Sequence, residues 1–197
     1  MLRIYKIYGF FGILRLIKDK LLTRMFYPKA RIVRFPIYVR GKRGILGGEN
    51  LTTGINLRID IINAEKNECF LHIGKNVQIN DYVHIGVAKG VTIGDNTLIA
   101  SKVFISDHNH GSYKGEDQSK PEESPIMRIL DGKEIKIGSN VWIGEFVSIL
   151  PGVTIGDGAI IGTMSVVTKD VPENSIAIGS PARVIKKYNK VSKKWES

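Results

Sequence analysis

The sequence has 197 residues and few of the features on which several protein classes depend. It contains a single cysteine, Cys69, which excludes an intrachain disulfide and gives no support to a secreted disulfide scaffold. We interpret this thiol as a small buried apolar side chain. No apolar run approaches the roughly 20 residues that a membrane span needs, because the longest, 7–14, ends at Arg15. The start also lacks the small-residue cleavage site of a signal peptide.

Acidic residues are nearly absent from the first 43 residues, which contain twelve lysines and arginines and one acid, Asp19. Apolar residues recur there at three- or four-residue steps, as on one face of an amphipathic helix. Two interpretations remain open: the face binds an anionic membrane surface, or it caps the open end of a repeat domain. No nucleic-acid-binding motif is recognisable, so we expect no nucleic acid partner. The apolar positions are Ile4, Ile7, Phe11, Leu14, Ile17, Leu21 and Met25.

An aliphatic residue at every sixth position dominates the rest of the sequence. This period fits neither a helix nor a long strand and indicates a short strand followed by a corner, repeated as a parallel β-helix. Seven of the twelve anchors precede a glycine, which we expect to adopt a positive φ at the corner. An alternating β-sandwich is the competing interpretation, but it predicts turns every eight to twelve residues. The anchors are Ile73, Ile79, Ile85, Ile93, Ile99, Ile105, Ile137, Ile143, Ile149, Ile155, Ile161 and Val167.

Three six-residue sides would close one triangular coil, and the register breaks twice, at 90–92 and at 107–134. The second insert begins with the sequence Asp-His-Asn-His (107–110), which makes it the candidate for chemistry. At one corner, small residues should stack from coil to coil and leave space for a ligand, namely Asn80, Ala100, Gly144 and Gly162. We predict four clear coils and one or two degenerate coils before them, at 73–92, 93–110, 137–154, 155–172 and 45–72.

Longer motifs resemble the hexapeptide-repeat acyltransferases, which include galactoside, maltose and xenobiotic acetyltransferases. These motifs are NVWIG (140–144), ILPGVTIG (149–156) and VVTKDVP (166–172). Similarity to bacterial lipopolysaccharide O-antigen acetyltransferases covers nearly the whole chain, including RIVRFPIYVR (31–40) and VQINDYVHI (77–85).

The resemblance implies a mainly β fold, a left-handed parallel β-helix of hexapeptide repeats. We expect an N-terminal amphipathic helix, a protruding loop and a short C-terminal helix around it. It also implies a homotrimer that binds acetyl-CoA as co-substrate between subunits, with no metal. The predicted segments are a basic arm (1–43), the β-helix (44–182) with a catalytic loop (107–134), and a basic tail (183–197).

The resemblance also implies residue roles. His110 falls five positions after Ile105 and matches the family's catalytic histidine, a general base that an unperturbed imidazole can provide near neutrality. His108 is the alternative base and otherwise binds the acceptor, and Asp107 could orient an imidazole. Asn80 matches an acceptor-binding residue, and Trp142 is expected to line the acceptor or cofactor site. The residues matching CoA-binding positions are Gly144, Glu145, Thr163, Thr168, Lys169, Arg183 and Lys186, of which the three cations suit phosphates.

Two departures bear on the acceptor. Glu145 replaces a serine suited to the oxyanion in galactoside acetyltransferases, and a carboxylate cannot stabilise an oxyanion, so a backbone N–H would have to do so. Ala88 replaces an acceptor-binding acid, so we expect an acceptor other than a simple galactoside.

We predict an acetyl-CoA-dependent O-acetyltransferase of an O-antigen or polysaccharide unit, whose sugar acceptor is free, nucleotide-linked or lipid-linked. Because acetyl-CoA is cytosolic, the expected location is the cytoplasm, peripherally on the inner membrane. Two alternatives are a non-catalytic trimeric scaffold and a carbonic-anhydrase-like zinc enzyme. The four histidines lack the paired spacing of that enzyme, which disfavours the metal site.

Overall fold

The chain folds as a three-sided parallel β-helix preceded by one long helix, α1 (Leu2–Phe26). The structure, a computed structural model, describes residues 2–62 and 70–197, with the side chains of α1 from residue 5 onward. Cys69 therefore lies outside the described residues. Two short 3-10 turns span Lys42–Gly44 and Pro125–Met127. We name the three sides sheets A, B and C.

Sheet A contains β3 (Thr52–Thr53), β6 (Gln78–Ile79), β9 (Leu98–Ile99), β14 (Trp142–Ile143), β17 (Ile160–Ile161), β19 (Ser175–Gly179), β20 (Ala182–Asn189) and β21 (Lys194–Glu196). Sheet B contains β1 (Tyr38–Arg40), β4 (Arg58–Ile61), β7 (His84–Val87), β10 (Phe104–Ser106), β15 (Ser148–Ile149) and β18 (Val166–Val167). Sheet C contains β2 (Ile45–Gly47), β5 (Leu71–Ile73), β8 (Val91–Ile93), β13 (Ile135–Ile137) and β16 (Thr154–Ile155). The loop contributes a hairpin of β11 (His108–His110) and β12 (Leu130–Gly132).

The core of the β-helix is the column of anchors that the six-residue period predicted. All twelve anchors are at most 2% exposed. They pair in parallel register from coil to coil, as Ile79 with Ile99 and Ile143 with Ile161. The four predicted coils are confirmed, and of the one or two degenerate coils expected before them the structure has one, formed by β2, β3 and β4. Each coil covers its neighbour, so the apolar core is continuous.

The reason why glycine follows the anchors differs from the one predicted. None of these glycines has a positive φ, so that prediction is wrong. A Cβ added to Gly94 would lie 2.5 Å from the carbonyl carbon of Gly138 in the next coil. A Cβ at Gly74 would lie only 2.4 Å from a carboxylate oxygen of Asp95, which accepts the Lys75 N–H at 2.7 Å. Glycine is needed there because neighbouring coils approach too closely for a side chain.

The left-handed conformation occurs two residues after six of these seven glycines, the exception being Gly86. Asn76, Asn96 and Asn140 have φ near 56°, a region that asparagine tolerates better than most residues. The Asn76 side-chain amide donates to Oδ1 of the Asn96 side chain at 3.0 Å, which links successive coils along this edge.

Helix α1 packs on the body through polar contacts. Thr23 is 1% exposed, donates its hydroxyl to the Asp19 carbonyl oxygen, and accepts the Val33 N–H at 2.8 Å. Asp19 is fully buried and accepts the Phe35 N–H at 3.4 Å. Gly9 is non-helical and interrupts the helix.

The predicted apolar face of α1 points away from the body. Ile4 lies outside the described side chains, and the exposed fractions of the other six positions range from 47% at Leu14 to 83% at Phe11. The interpretation that this face caps the β-helix is therefore wrong for the single chain, because the opposite face, with Asp19 and Thr23, makes the contact. Among residues 2–62 and 70–197, no helix is long and apolar enough to span a bilayer.

The expected short C-terminal helix is also wrong. After the last coil, β19 pairs with β17, and β20 and β21 continue sheet A in antiparallel order. Because β19 would otherwise leave a free edge of hydrogen-bonding groups beyond the last coil, the tail satisfies that edge as strands. Tyr188 and Trp195 stack edge-to-face across β20 and β21, with ring centroids 5.3 Å apart.

Candidate active site

The corner that contains the short register break, at 88–92, holds in place the first residue of the long insert at 107–134. Asp107, the first residue of the loop, is fully buried. Its carboxylate accepts the backbone N–H groups of Ala88, Lys89 and Gly90 at 2.7–2.8 Å. Three consecutive residues of this enlarged corner thus form a nest of amides that fixes the carboxylate where the loop leaves sheet B.

The same carboxylate orients His108. The Nδ1 atom of His108 lies 2.8 Å from Asp107 Oδ1, and the side chain is 11% exposed. We assign the proton to Nδ1, because a carboxylate flanked by amide donors can only accept there, and this leaves the Nε2 lone pair available. His108 lies over Gly86 of sheet B, where a Cβ would be 3.3 Å from the imidazole Cε1.

His110 lies on the same side of the loop strand as His108, with 6.3 Å between the ring centroids. It is exposed, and its strand β11 pairs with β12. Its carbonyl oxygen accepts the Tyr113 hydroxyl at 2.6 Å, and Arg128 donates to that hydroxyl at 2.9 Å. Tyr113 and Arg128 therefore support the backbone of His110, a role that no sequence pattern indicated.

A polar cluster that the sequence analysis did not predict lies beside His108 on the outer face of sheet B. Asp60 lies between three donors: Arg58 Nε at 2.6 Å, Arg40 Nε at 3.2 Å and His84 Nε2 at 3.3 Å. The His84 ring stacks edge-to-face on Phe104, with centroids 5.5 Å apart. The alternation of outward residues along short strands brings these side chains together, but only the strand register could reveal it.

The pKa values of Asp60 and His84 are both lowered from their ordinary values. Burial raises the pKa of Asp60, but hydrogen bonding and the charges of Arg58 and Arg40 outweigh it, so the pKa is lowered overall. Burial and the Arg58 charge lower the pKa of His84 more than its contact with Asp60 raises it. The carboxylate is therefore ionised and the imidazole tends to be neutral.

Three of the predicted cofactor residues meet at the edge between sheets A and B. Gly144 is buried, and a Cβ there would be 2.6 Å from the Thr163 backbone nitrogen, so the next coil fills the space that we expected a ligand to use. The Thr163 hydroxyl donates to the Glu145 carbonyl oxygen at 2.7 Å. Asn80 lies two coils away along the same edge and accepts from the Gln78 amide at 2.9 Å.

The other predicted cofactor residues lie elsewhere in the chain. Thr168 and Lys169 follow β18, at the edge between sheets B and C from which the loop also leaves. Arg183 and Lys186 lie on β20, beyond the last coil. Lys169, Arg183 and Lys186 are exposed, and none forms an ion pair with another described residue.

The structure does not bring the loop imidazoles and the Gly144 edge together within one chain. The loop leaves one edge of sheet B, and Gly144 lies at the opposite edge. Six residues separate successive corners, which is roughly 20 Å at 3.3 Å per residue. Trp142 is 52% exposed on the outer face of sheet A, between Leu98 and Ile160 of neighbouring strands.

Within the described parts of the chain, no group of three histidine, cysteine, aspartate or glutamate side chains could hold a metal ion. His72 lies on sheet C, whereas His84 lies on sheet B.

Comparison with known proteins agrees with this architecture. The family described as "Bacterial transferase hexapeptide (six repeats)" matches residues 134–169. The "Putative lipopolysaccharide biosynthesis O-acetyl transferase WbbJ" of Escherichia coli strain K12 is 49% identical over 197 residues, which is 100% of this chain and 98% of that protein.

Two solved structures have similar folds. A maltose O-acetyltransferase from Clostridium difficile 630 has a TM-score of 0.59 and 30% identity, covering 90% of this chain and 88% of the other. A hexapeptide-repeat acetyltransferase from Vibrio cholerae O1 biovar eltor, complexed with acetyl-CoA, has a TM-score of 0.62 and 27% identity, covering 75% and 72%.

The chain therefore belongs to the hexapeptide-repeat acetyltransferases, whose fold is the left-handed parallel β-helix. Within that class, its full-length similarity is to an enzyme named for lipopolysaccharide O-acetylation.

Proposed function

We propose that this chain transfers an acetyl group from acetyl-CoA to a hydroxyl of a sugar, in an O-antigen or polysaccharide unit or its precursor. The observation that supports it most is the pair of imidazoles on one strand of the loop, with His108 bonded to a buried carboxylate. The full-length similarity to a lipopolysaccharide O-acetyl transferase supports the same class of reaction. A non-catalytic scaffold would have no use for this arrangement.

His110 is the proposed general base. As the sugar hydroxyl oxygen attacks the thioester carbonyl carbon, His110 takes the hydroxyl proton. The tetrahedral adduct then collapses, the carbon–sulfur bond breaks, and the imidazolium returns the proton to the leaving thiolate. The exposed ring of His110 is accessible to an acceptor, and the Tyr113–Arg128 contacts fix its backbone.

His108 and Asp107 are proposed to bind and position the acceptor. Since Asp107 fixes His108 through Nδ1, the free Nε2 can accept a hydrogen bond from a second hydroxyl of the same sugar. His108 is also the alternative base, because its Nε2 has the geometry of a carboxylate-oriented imidazole. Asn80 and Trp142 remain proposed acceptor contacts.

Acetyl-CoA supplies the activated acyl group, and the residues proposed to hold it are those of the Gly144 edge and the basic end of the chain. Glu145 and Thr163 are exposed at that edge and are joined by the Thr163 hydroxyl, and the buried Gly144 lets their two coils approach closely. The phosphates would contact Thr168 and three exposed cations, Lys169, Arg183 and Lys186. These cations form no ion pair with another described residue and so suit a polyanion. The Glu145 carboxylate cannot stabilise the oxyanion, so a backbone N–H has that role.

A homotrimer is proposed because one chain separates the two halves of the site. If the loop of one subunit reaches the Gly144 edge of its neighbour, the imidazoles and the thioester meet. Mixed trimers of a His110→Ala chain and a Thr163→Trp chain should then regain activity that neither variant has alone. Mixed trimers that stay inactive would place the complete site within one subunit.

Peripheral binding to the cytoplasmic side of an anionic membrane is proposed for the basic arm (1–43). The apolar face of α1 points away from the body, and the arm contains twelve lysines and arginines. An anionic bilayer complements both properties.

The rest of the chain divides into three proposed segments. The β-helix (44–182) is the structural segment, its loop (107–134) is the catalytic segment, and the tail (183–197) is a cofactor-binding segment.

The direct test is acetyl transfer by the purified chain. Thiol release from acetyl-CoA is measured with a panel of free sugars, sugar phosphates, nucleotide sugars and extracted surface glycans, and products are weighed by mass spectrometry. We expect a gain of one acetyl group on at least one sugar acceptor. No thiol release with any acceptor, together with no binding of CoA, would favour the scaffold.

A further inference from the structure

Two arginines beside the candidate active site have guanidinium groups that one carboxylate only partly occupies. The Arg58 Nε–H donates to Asp60 at 2.6 Å, and Arg40 forms an ion pair with the same carboxylate, with its Nε 3.2 Å away. The terminal Nη groups of both side chains form no hydrogen bond with another described residue. Both arginine side chains are more than half exposed, whereas the Asp60 side chain is 16% exposed.

This cluster has an excess of positive charge. Asp60 supplies one negative charge for two guanidiniums, and the third donor, His84, is partly buried with a lowered pKa. The carboxylate holds the Arg58 guanidinium through its Nε–H and the Arg40 guanidinium through an ion pair, which leaves up to four Nη groups free to bind another acceptor. Such preorganised arginine pairs recognise oxyanions through several charge-assisted hydrogen bonds.

The position of the cluster relates it to the acceptor. Asp60 pairs in register with Gly86, over which His108 lies, and Arg40 pairs with Asp60 on the next strand. Two strand steps place Arg40 about 10 Å from Gly86. A sugar held by the loop imidazoles could therefore extend a substituent along sheet B to the guanidiniums.

We infer that Arg40 and Arg58 form a subsite for a phosphate carried by the acceptor, so that the enzyme acetylates a glycosyl phosphate or diphosphate rather than a free sugar. This inference rests on the proposed function and specifies its acceptor. A carboxylated sugar is a weaker fit, because a single guanidinium already satisfies a carboxylate with two parallel bonds, whereas a phosphate has three oxygens to share between two.

The subsite lies at the end of the β-helix nearest α1. Arg40 belongs to β1, the first strand of sheet B, and α1 contacts the segment just before it through Thr23 and Asp19. A phosphate at the arginines would thus leave its second substituent directed toward the arm. That substituent is a nucleoside in a nucleotide sugar or a polyprenyl chain in a lipid-linked sugar.

The test compares matched acceptors with the full-length chain. Thiol release from acetyl-CoA is measured with methyl glycosides of glucose, galactose and N-acetylglucosamine, with the corresponding 1-phosphates and uridine diphosphate sugars, and with a polyprenyl-diphosphate sugar in detergent micelles. We expect kcat/KM to be at least about tenfold higher for the phosphorylated form of whichever sugar is used. The nucleotide and polyprenyl arms separate the two sources of phosphate.

The Arg40→Gln/Arg58→Gln variant should lose most of that preference, and its loss should be about tenfold larger on the phosphorylated acceptor than on the methyl glycoside. Inorganic pyrophosphate should inhibit the native enzyme more strongly than this variant. Lys75→Gln, which removes an exposed lysine on a different turn, is the matched control and should retain the preference. Thermal unfolding confirms that each variant is folded, and Arg58→Lys provides a milder second variant.

Equal use of methyl glycosides and phosphorylated sugars would overturn the inference and leave the proposed acetyl transfer intact. A preference for glucuronic or galacturonic acid over the phosphates would also overturn it. Thiol release with none of these acceptors, and no CoA binding, would instead overturn the proposed function.

Discussion

The regular coils and the interruptions between them differ in what their polar side chains do. In the coils, a carboxylate such as that of Asp95 accepts one amide of the neighbouring turn and closes a corner. At the interruptions, the carboxylate of Asp107 accepts three amides and also orients an imidazole. Repetition thus builds a rigid body, and the breaks in the repetition position reactive groups on it.

The largest effect should come from the regular part. Gly94→Val would place a Cβ 2.5 Å from the backbone of the next coil, which cannot move without separating two coils. We expect a loss of folding stability above about 3 kcal/mol, or insoluble protein. Thr92→Val changes an exposed position on β8, the strand just before Gly94, and should keep near-native stability in thermal unfolding. A stable Gly94→Val protein would contradict the close-approach explanation of these glycines.

Next in size is the exchange of Asp107 for asparagine. It removes the charge that three backbone amides and His108 Nδ1 share, so the histidine loses its orientation. We expect kcat/KM to fall by about 10²-fold, with faster proteolysis of the loop. Asp95→Asn in a regular corner is the comparison: it should cost about 1 kcal/mol of stability and leave kcat/KM unchanged. Equal effects of the two substitutions on activity would remove the distinction between coils and interruptions.

The exposed face of α1 gives a smaller effect outside the β-helix. Phe11→Ser and Leu21→Ser reduce the apolar area that would enter a bilayer, and both side chains are more than 60% exposed, so folding should not suffer. Co-sedimentation with anionic phosphatidylglycerol vesicles should fall about tenfold or more for the double variant. Unchanged sedimentation, or a shift in oligomeric mass instead, would assign this face to another copy of the chain.

The smallest effect is a dependence of stability on pH. Both Asp60 and His84 have lowered pKa values in the folded chain, so the unfolded chain binds their protons more readily. Their contribution is complete above pH 6.5 and is lost as pH falls, first through the His84 pKa and then below the ordinary 3.8 of Asp60. His84→Gln should flatten the first part of this loss in thermal unfolding. Native stability that rises on acidification through this range would show the sign to be wrong.

The sequence predicted most of the body, because a six-residue period leaves one geometry in which every anchor is buried. The prediction from the sequence was wrong where a residue is set by a contact between distant parts of the chain rather than by the six-residue period. The glycines after the anchors looked like turn residues, whereas Gly94 and Gly138 are small because two backbones nearly touch. The apolar face of α1 was visible, but the chain could not indicate that Asp19 and Thr23 on the other face make the contact.

The candidate site was only half accessible to sequence reasoning. His108, His110 and Asp107 are adjacent in the chain, so a single loop identified them. The Arg40–Arg58–Asp60–His84 cluster spans 45 positions of sequence and forms only once three strands are in register. The two-residue break at 90–92 was noticed as a defect in the period, yet the amides of Ala88, Lys89 and Gly90 in that corner hold Asp107. Residues that meet through stacking of coils need the register before they can be grouped.

The central claim is that an imidazole on the loop removes the proton of the acceptor hydroxyl. It is tested by His110→Ala, with kcat measured by thiol release and CoA affinity by calorimetry. We expect kcat to fall at least about a hundredfold while the Kd for CoA stays within about twofold. An unchanged kcat in His110→Ala, with the hundredfold loss appearing in His108→Ala, would move the base to His108; an unchanged kcat in both variants would contradict the claim.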